Sequence, residues 1–137
     1  MASLRKQIDL PLDADAVWDA VRDVGALHTR LVAGFVTATR LEEGARIVTF
    51  ANGMQVRELI VGIDDAARRL AYSAVGGRAS HHNASVEVQP TGAHSCRLVW
   101  ITDLLPDSVA EPVGAMMEEG VRAIRATLEA GAADACA

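Results

Sequence analysis

The stretch "ARIVTFANGMQVRELIVGIDDAARRLAYSAVGG", residues 45–77, decides the architecture. Apolar and β-branched residues gather in three runs, at about 45–51, 55–63 and 68–75, parted by "ANGM", "DDAARR" and then "VGGR". β-Branched side chains suit a pleated strand, whereas Gly, Asn and Asp end one. Asn52-Gly53 is the sharpest turn signal, because both residue types tolerate the positive φ angles of a tight hairpin. Strands joined by links this short run antiparallel, since a parallel pair needs a crossover of about a dozen residues or more.

The same pattern extends both ways. Upstream, "EEGA" ends a run at 35–42; downstream, "PTGAHS" separates runs at 81–89 and 95–104. The middle of the chain thus predicts a six-stranded antiparallel meander rather than βαβ units. A seventh strand at 3–10 comes first and is closed by Pro11. In "DADAVWDAVRDVGAL", Val17, Trp18, Val21 and Val24 recur at helical spacing, with Asp13 placed to cap the helix and Gly25 to break it. "ALHTRLVAG" follows as a second short helix or an ordered loop. The last segment predicts a long helix, with Ser108 and Glu111 at capping-box spacing and Pro112 in its first turn. Val109, Val113, Met116, Met117, Gly120, Val121, Ile124 and Leu128 make its apolar face. One domain over 1–131 and a disordered tail at 132–137 are expected, with no repeat or linker.

Composition narrows the function. The 137 residues can bury a real core, and with two Phe, one Tyr and two Trp that core is mainly aliphatic. The net charge of −5 is spread without a basic patch, which argues against a nucleic-acid partner. No run approaches the roughly 20 apolar residues that span a bilayer, so membrane insertion is not expected. Two cysteines, Cys96 and Cys136, make no disulfide framework and suit a reducing compartment. Without a secretory leader in "MASLRKQIDLPLD", a cytoplasmic location is expected. The histidines at 28, 81, 82 and 94 have no metal-binding spacing, and adjacent histidines on a strand point to opposite faces, so no metal site is expected. Nor is there a GxSxG elbow or a glycine-rich phosphate loop, and no cofactor is expected. The oligomeric state is left open.

Strand, two helical segments, six strands and a long helix is the order of the helix-grip arrangement, an α+β fold. Three stretches carry a family resemblance as well: "LPLDADAVWDAVRD", "GMQVRELIVGIDDAARRLAYSAVGG" and "VEVQPTGAHSCRLVWITDLLP". Over nearly the whole chain the sequence resembles polyketide cyclase/dehydrase-like (SRPBCC) proteins of the START and Bet v 1-like superfamily. The resemblance implies a curved antiparallel seven-stranded sheet wrapped around the C-terminal helix, with a cavity between them. Its members include lipid carriers, hormone receptors and aromatic cyclases, so it implies no single activity.

Strand alternation then nominates cavity residues. In "HHNASVEVQ", Glu87 and Gln89 are expected to face water, which turns His82, Ala84, Val86 and Val88 inward unless a bulge intervenes. In "SCRLVWITDL", outward Arg97 and Asp103 turn Trp100 and Thr102 inward; in "RRLAYSAV", Tyr72 is inward with Leu70 and Ala74. Tyr72, His82, Trp100 and Thr102 are therefore candidate ligand contacts, facing Met116, Met117 and the volume left free at Gly120. Each also has a plain structural reading as a core or wall residue. The resemblance places His28 and Arg30 on a mobile cover over the cavity, as possible polar contacts. Arg57 and Glu58 sit mid-strand, so one of them points inward or both lie near an edge; an inward Arg57 would need a partner and would suggest an anionic ligand group.

Three functions fit. The first is a carrier for a hydrophobic small molecule: a lipid, a polyketide or an aromatic metabolite. The second is a cyclase or dehydrase in which His82, the best catalytic candidate, serves as general acid–base on a polyketide-like ketone. The third is an interaction module without a ligand. Binding is the reading that every feature supports; catalysis stays open.

Overall fold

In the computed structural model, which describes residues 2–136, every expected element is present. The seven strands are β1 (Ala2–Leu10), β2 (Val36–Glu42), β3 (Ala45–Phe50), β4 (Gln55–Asp64), β5 (Arg69–Val75), β6 (His81–Gly92) and β7 (Ser95–Leu105). They form one antiparallel sheet in the order β1-β7-β6-β5-β4-β3-β2. The meander is thus continuous from β2 to β7, and β1 adds itself beside β7. Helices α1 (Ala14–Arg22) and α2 (Leu27–Arg30) link β1 to β2, joined by a 3-10 turn at Val24–Ala26. Helix α3 (Ala110–Cys136) follows β7 and packs along the concave face of the sheet. It is a helix-grip fold.

Sheet curvature has a local cause. Register shifts fall at Val36/Ala38, Ile60/Gly62 and Pro90/Gly92. An extra residue in one strand bends it and increases its twist. The bulge in β6 lies at its far end, so alternation around His82 is undisturbed: Ala84, Val86 and Val88 are buried, and His81, Asn83 and Gln89 are more exposed.

Several local expectations are corrected. The β3–β4 hairpin closes through a three-residue loop, Ala51 to Gly53: Gly53 donates to the Phe50 carbonyl, and Phe50 donates to that of Met54. Only Gly53 takes a positive φ, +87°, while Asn52 accepts a hydrogen bond from the Met54 amide through its side chain. Asp13 precedes α1 without a side-chain capping bond; its carboxylate lies 2.8 Å from His94 Nδ1 instead. Ser108 sits inside a 3-10 turn, Asp107–Val109, ahead of α3, so it does not cap the helix. Backbone helix continues through 132–136, where a disordered tail is expected. Residue 137, and the side chains of 133–137 with Cys136 among them, lie outside the described residues.

The core fills the end of the sheet covered by α1. Val17, Trp18 and Val21 are buried there with Leu10, Leu98, Ile124 and Leu128. Trp18 Nε1 and Arg22 Nε both donate to Asp65 Oδ1, at 2.9 and 2.8 Å, which ties α1 to the β4–β5 turn. The α2 segment is fixed to α3 by the Ala33 amide, which donates to Thr127 Oγ1 at 3.0 Å. The other half of the concave face stays open.

Candidate functional site

Two adjoining chambers occupy that open half, between the sheet and α3. The inner one, of about 110 Å³, is bounded by Tyr72, Trp100 and Thr102 from the sheet, Met117 and Ile124 from α3, and Leu27 and Leu31 from the α2 segment. The outer one, of about 160 Å³, extends past Met54, Ala74 and Pro112 towards Arg78 in the β5–β6 loop. Phe50, Glu58, His82, Val113 and Met116 line both and form the neck between them.

Six of the residues nominated by alternation and helical spacing come together here: Tyr72, His82, Trp100, Thr102, Met116 and Met117. Gly120 does not join them in the expected way. A Cβ at this position would lie 2.8 Å from Trp100 Cζ3 and 3.1 Å from Cη2, so the missing side chain admits the indole and not a ligand. The three polar candidates outside the sheet's inner face are also displaced. His28 Nδ1 lies 3.0 Å from Thr39 Oγ1, and neither chamber is lined by it. Arg30 turns back to Asp19 and Asp23, at 2.6 and 2.9 Å, so the cover offers the cavity Leu27, Leu31 and Val32 instead of a cation. Arg57 is exposed and paired with Glu42 at 3.4 Å.

Its neighbour Glu58 is the inward residue, and it has a buried partner that the sequence reading lacks. Arg46 lies directly opposite it on β3, with Nε 2.8 Å from Glu58 Oε1, and both side chains are almost fully buried. Arg46 also donates to the Val24 carbonyl at 3.4 Å, and its guanidinium sits 5.3 Å from the centre of the Tyr72 ring. A sequence signal for Arg46 does exist: it shares strand parity with Val48 and Phe50, both on the cavity side.

The remaining polar groups are differently placed. Trp100 Nε1 donates to Tyr72 Oη at 3.0 Å, across β6. Burial, reinforced by the Glu58 charge, raises the Tyr72 pKa well above that of an ordinary phenol, so this hydroxyl stays protonated. Burial, and secondarily His81, lowers the pKa of His82, which favours neutral imidazole. Thr102 is 1% exposed, and its Oγ1 has no hydrogen-bond partner among the described residues. Cys96 is buried, and burial raises its thiol pKa, which removes it as a nucleophile. Among the described residues no cluster of His, Cys, Asp or Glu could hold a metal ion, and no helix is long and apolar enough to cross a membrane.

The geometry has relatives. The family model for polyketide cyclase/dehydrase and lipid transport proteins matches residues 1–135. The chain belongs to this family. Among solved structures it is similar to the di-domain aromatase/cyclase BexL of the BE-7585A biosynthetic pathway, with a TM-score of 0.82 at 16% identity, over 94% of this chain and 47% of that one. It is similar to a START superfamily protein from Mycobacterium smegmatis, with a TM-score of 0.75 at 12% identity, over 93% and 97% of the two chains. Truncated norcoclaurine synthase from Thalictrum flavum gives 0.70 at 19% identity, over 90% and 91%. At these identities the likeness is one of fold. No curated protein matches the sequence.

Proposed function

We propose that the protein binds a small hydrophobic molecule in the two chambers between the sheet and α3. The observation that carries this is the cavity itself, with apolar walls and only a few polar groups, the usual make-up of a small-molecule site. Size restricts the guest. A cavity of about 150 Å³ takes benzene, so chambers of about 110 and 160 Å³ suit one or two rings and not a sterol. The flexible thioether of Met116 at the neck lets the two chambers serve one elongated guest or a single ring. Membership of a family named for cyclase, dehydrase and lipid-transport proteins supports a guest from lipid, polyketide or aromatic metabolism.

The test is thermal unfolding with naphthalene-sized guests, a long fatty acid and a sterol. A guest at 100 times its Kd adds about 2.7 kcal/mol. For a chain of this length that corresponds to a rise of roughly 8–15 °C in Tm. The bicyclic guests should produce that rise and the sterol should not. Uniform silence would overturn the reading and favour a filled core that serves a protein partner.

One observation supports a second reading, as a cyclase or dehydrase acting on a polyketide-like ketone. His82 stands at the neck, lining both chambers, with its pKa lowered and no hydrogen-bond partner among the described residues. A neutral imidazole in that position is a competent proton acceptor. Under this reading His82→Gln should cost turnover about 100-fold or more while guest affinity holds. If affinity alone changes, the protein is a carrier.

A further inference from the structure

Within that binding reading, on which this inference rests, the inner chamber contains a second level of selection. Tyr72, Ala84 and Thr102 lie in one row across β5, β6 and β7, each directly opposite the next. Neighbouring strands are about 4.8 Å apart, so the two polar residues flank a small alanine at a backbone separation of about 10 Å. The Tyr72 side chain closes much of that gap, since its hydroxyl reaches Trp100, two residues from Thr102 on the same face of β7. Both residues line the inner chamber.

Their hydrogen-bonding capacity is specific. An indole N–H can only donate, so the contact with Trp100 uses a lone pair on Tyr72 Oη and leaves the phenolic hydrogen to be given elsewhere. No acceptor for it is present among the described residues. Thr102 Oγ1 is enclosed and unpartnered, although a buried hydroxyl without a hydrogen bond is costly. Arg46 and Glu58, the charged groups of the same chamber, are bonded to each other. Two hydroxyl-bearing residues with unused hydrogen-bonding capacity thus line a chamber whose other polar groups are the Arg46–Glu58 pair and His82.

We infer that the inner chamber selects guests bearing a neutral oxygen acceptor, an aryl ketone or a comparable carbonyl, held by Thr102 Oγ1 and Tyr72 Oη. An acceptor offers these groups the partner they lack, whereas a pure hydrocarbon leaves them as they are.

The experiment compares 1-tetralone with tetralin, bicyclic molecules of nearly equal shape that differ by the carbonyl. Affinities are measured by calorimetry on the full chain, wild type and the near-isosteric Thr102→Val. The wild type should hold the ketone about tenfold more tightly, the scale of one net hydrogen bond. T102V should erase most of that preference while tetralin binds as well as before, and Thr102→Ser should restore it. Tyr72→Phe should reduce it independently. Equal affinity of the wild type for ketone and hydrocarbon would overturn this inference and leave the cavity reading intact. Failure of both probes to bind would overturn the two together. Retention of the full preference in both T102V and Y72F would show that the carbonyl is held elsewhere.

Discussion

The two polar walls of the cavity are built on opposite principles. On the β3–β4 side, Arg46 and Glu58 are paired with each other at 2.8 Å, buried and directly opposite in register. On the β5–β7 side, Tyr72 and Thr102 retain hydrogen-bonding capacity, and His82 stands beside them without a partner among the described residues. Closed polar pairs specify structure but have little left for a guest. Open ones sacrifice some stability and are available to whatever enters. Under the proposed binding function, the difference gives scaffolding to one wall and recognition to the other.

The largest expected effect comes from breaking the closed wall. Glu58→Ala strands a buried guanidinium, and removing one partner of such a pair typically costs about 3–5 kcal/mol. Replacing both partners, with Arg46→Met and Glu58→Leu together, should recover most of that loss, because apolar residues of similar volume avoid the desolvation of two charges. Urea denaturation of the single and double variants measures both. If the double variant is as unstable as E58A, the pair holds the sheet through more than mutual neutralisation. The comparison of walls would then need the Val24 carbonyl contact at its centre.

This contrast also explains what was legible in the sequence. The β5–β7 wall could be read because its strands alternate cleanly: polar Glu87, Gln89, Arg97 and Asp103 fix the parity, and the β6 bulge falls beyond Val88. The pairing across the β3–β4 wall could not, for two physical reasons. First, the partner of Arg46 depends on the exact hairpin register, which the runs at 45–51 and 55–63 leave open; the three-residue loop sets it opposite Glu58. Second, the bulge between Ile60 and Gly62 interrupts the alternation of "VRELIVGI", so Leu59 and Val61 compete with Val56 and Ile60 for the inner face. The cover misled in another way. His28 and Arg30 look like ligand contacts until Asp19 of α1 and Asp23 just beyond its end claim the arginine, a pairing between segments that periodicity within one segment does not reveal. Gly120 was found, but its purpose depends on the height of the opposing indole, which no pattern in one helix encodes.

A smaller effect tests the open wall. Gly120→Ala removes a helix glycine, worth about 1 kcal/mol in propensity, but it drives a methyl into Trp100, and overpacking costs about 1–3 kcal/mol. A net loss of about 1 kcal/mol is expected, with a shift in tryptophan emission as the bond from Trp100 to Tyr72 is disturbed. A stabilised variant with unchanged emission would mean that the Trp100 wall yields freely, and recognition there would rest on Thr102 alone.

The pH dependence of His82 comes next. Its pKa is lowered in the folded protein, so below the unfolded value the unfolded chain binds more protons. Stability from this group is present above about pH 6.5 and is lost as pH falls through the lower, folded pKa. His82→Gln should therefore flatten the acid side of the stability curve just below that point while leaving neutral-pH stability nearly unchanged. Parallel curves for the two proteins would mean that the histidine is better hydrated than its place at the neck implies.

The smallest effect is the most discriminating control, because it concerns the residue beside the largest. Arg57 and Glu58 are adjacent on β4, and alternation sends one to solvent and the other into the cavity. Arg57 meets Glu42 only at 3.4 Å, with both side chains substantially exposed. Exposed pairs of this kind are worth about 0–1 kcal/mol, so Arg57→Ala should shift stability by no more than about 0.5 kcal/mol and leave guest affinity untouched. Calorimetric affinity for 1-tetralone and a urea curve, taken beside those of E58A, decide the matter. A clear loss of affinity in R57A would bring an anionic group of the guest back to β4, and the scaffold wall would become part of recognition.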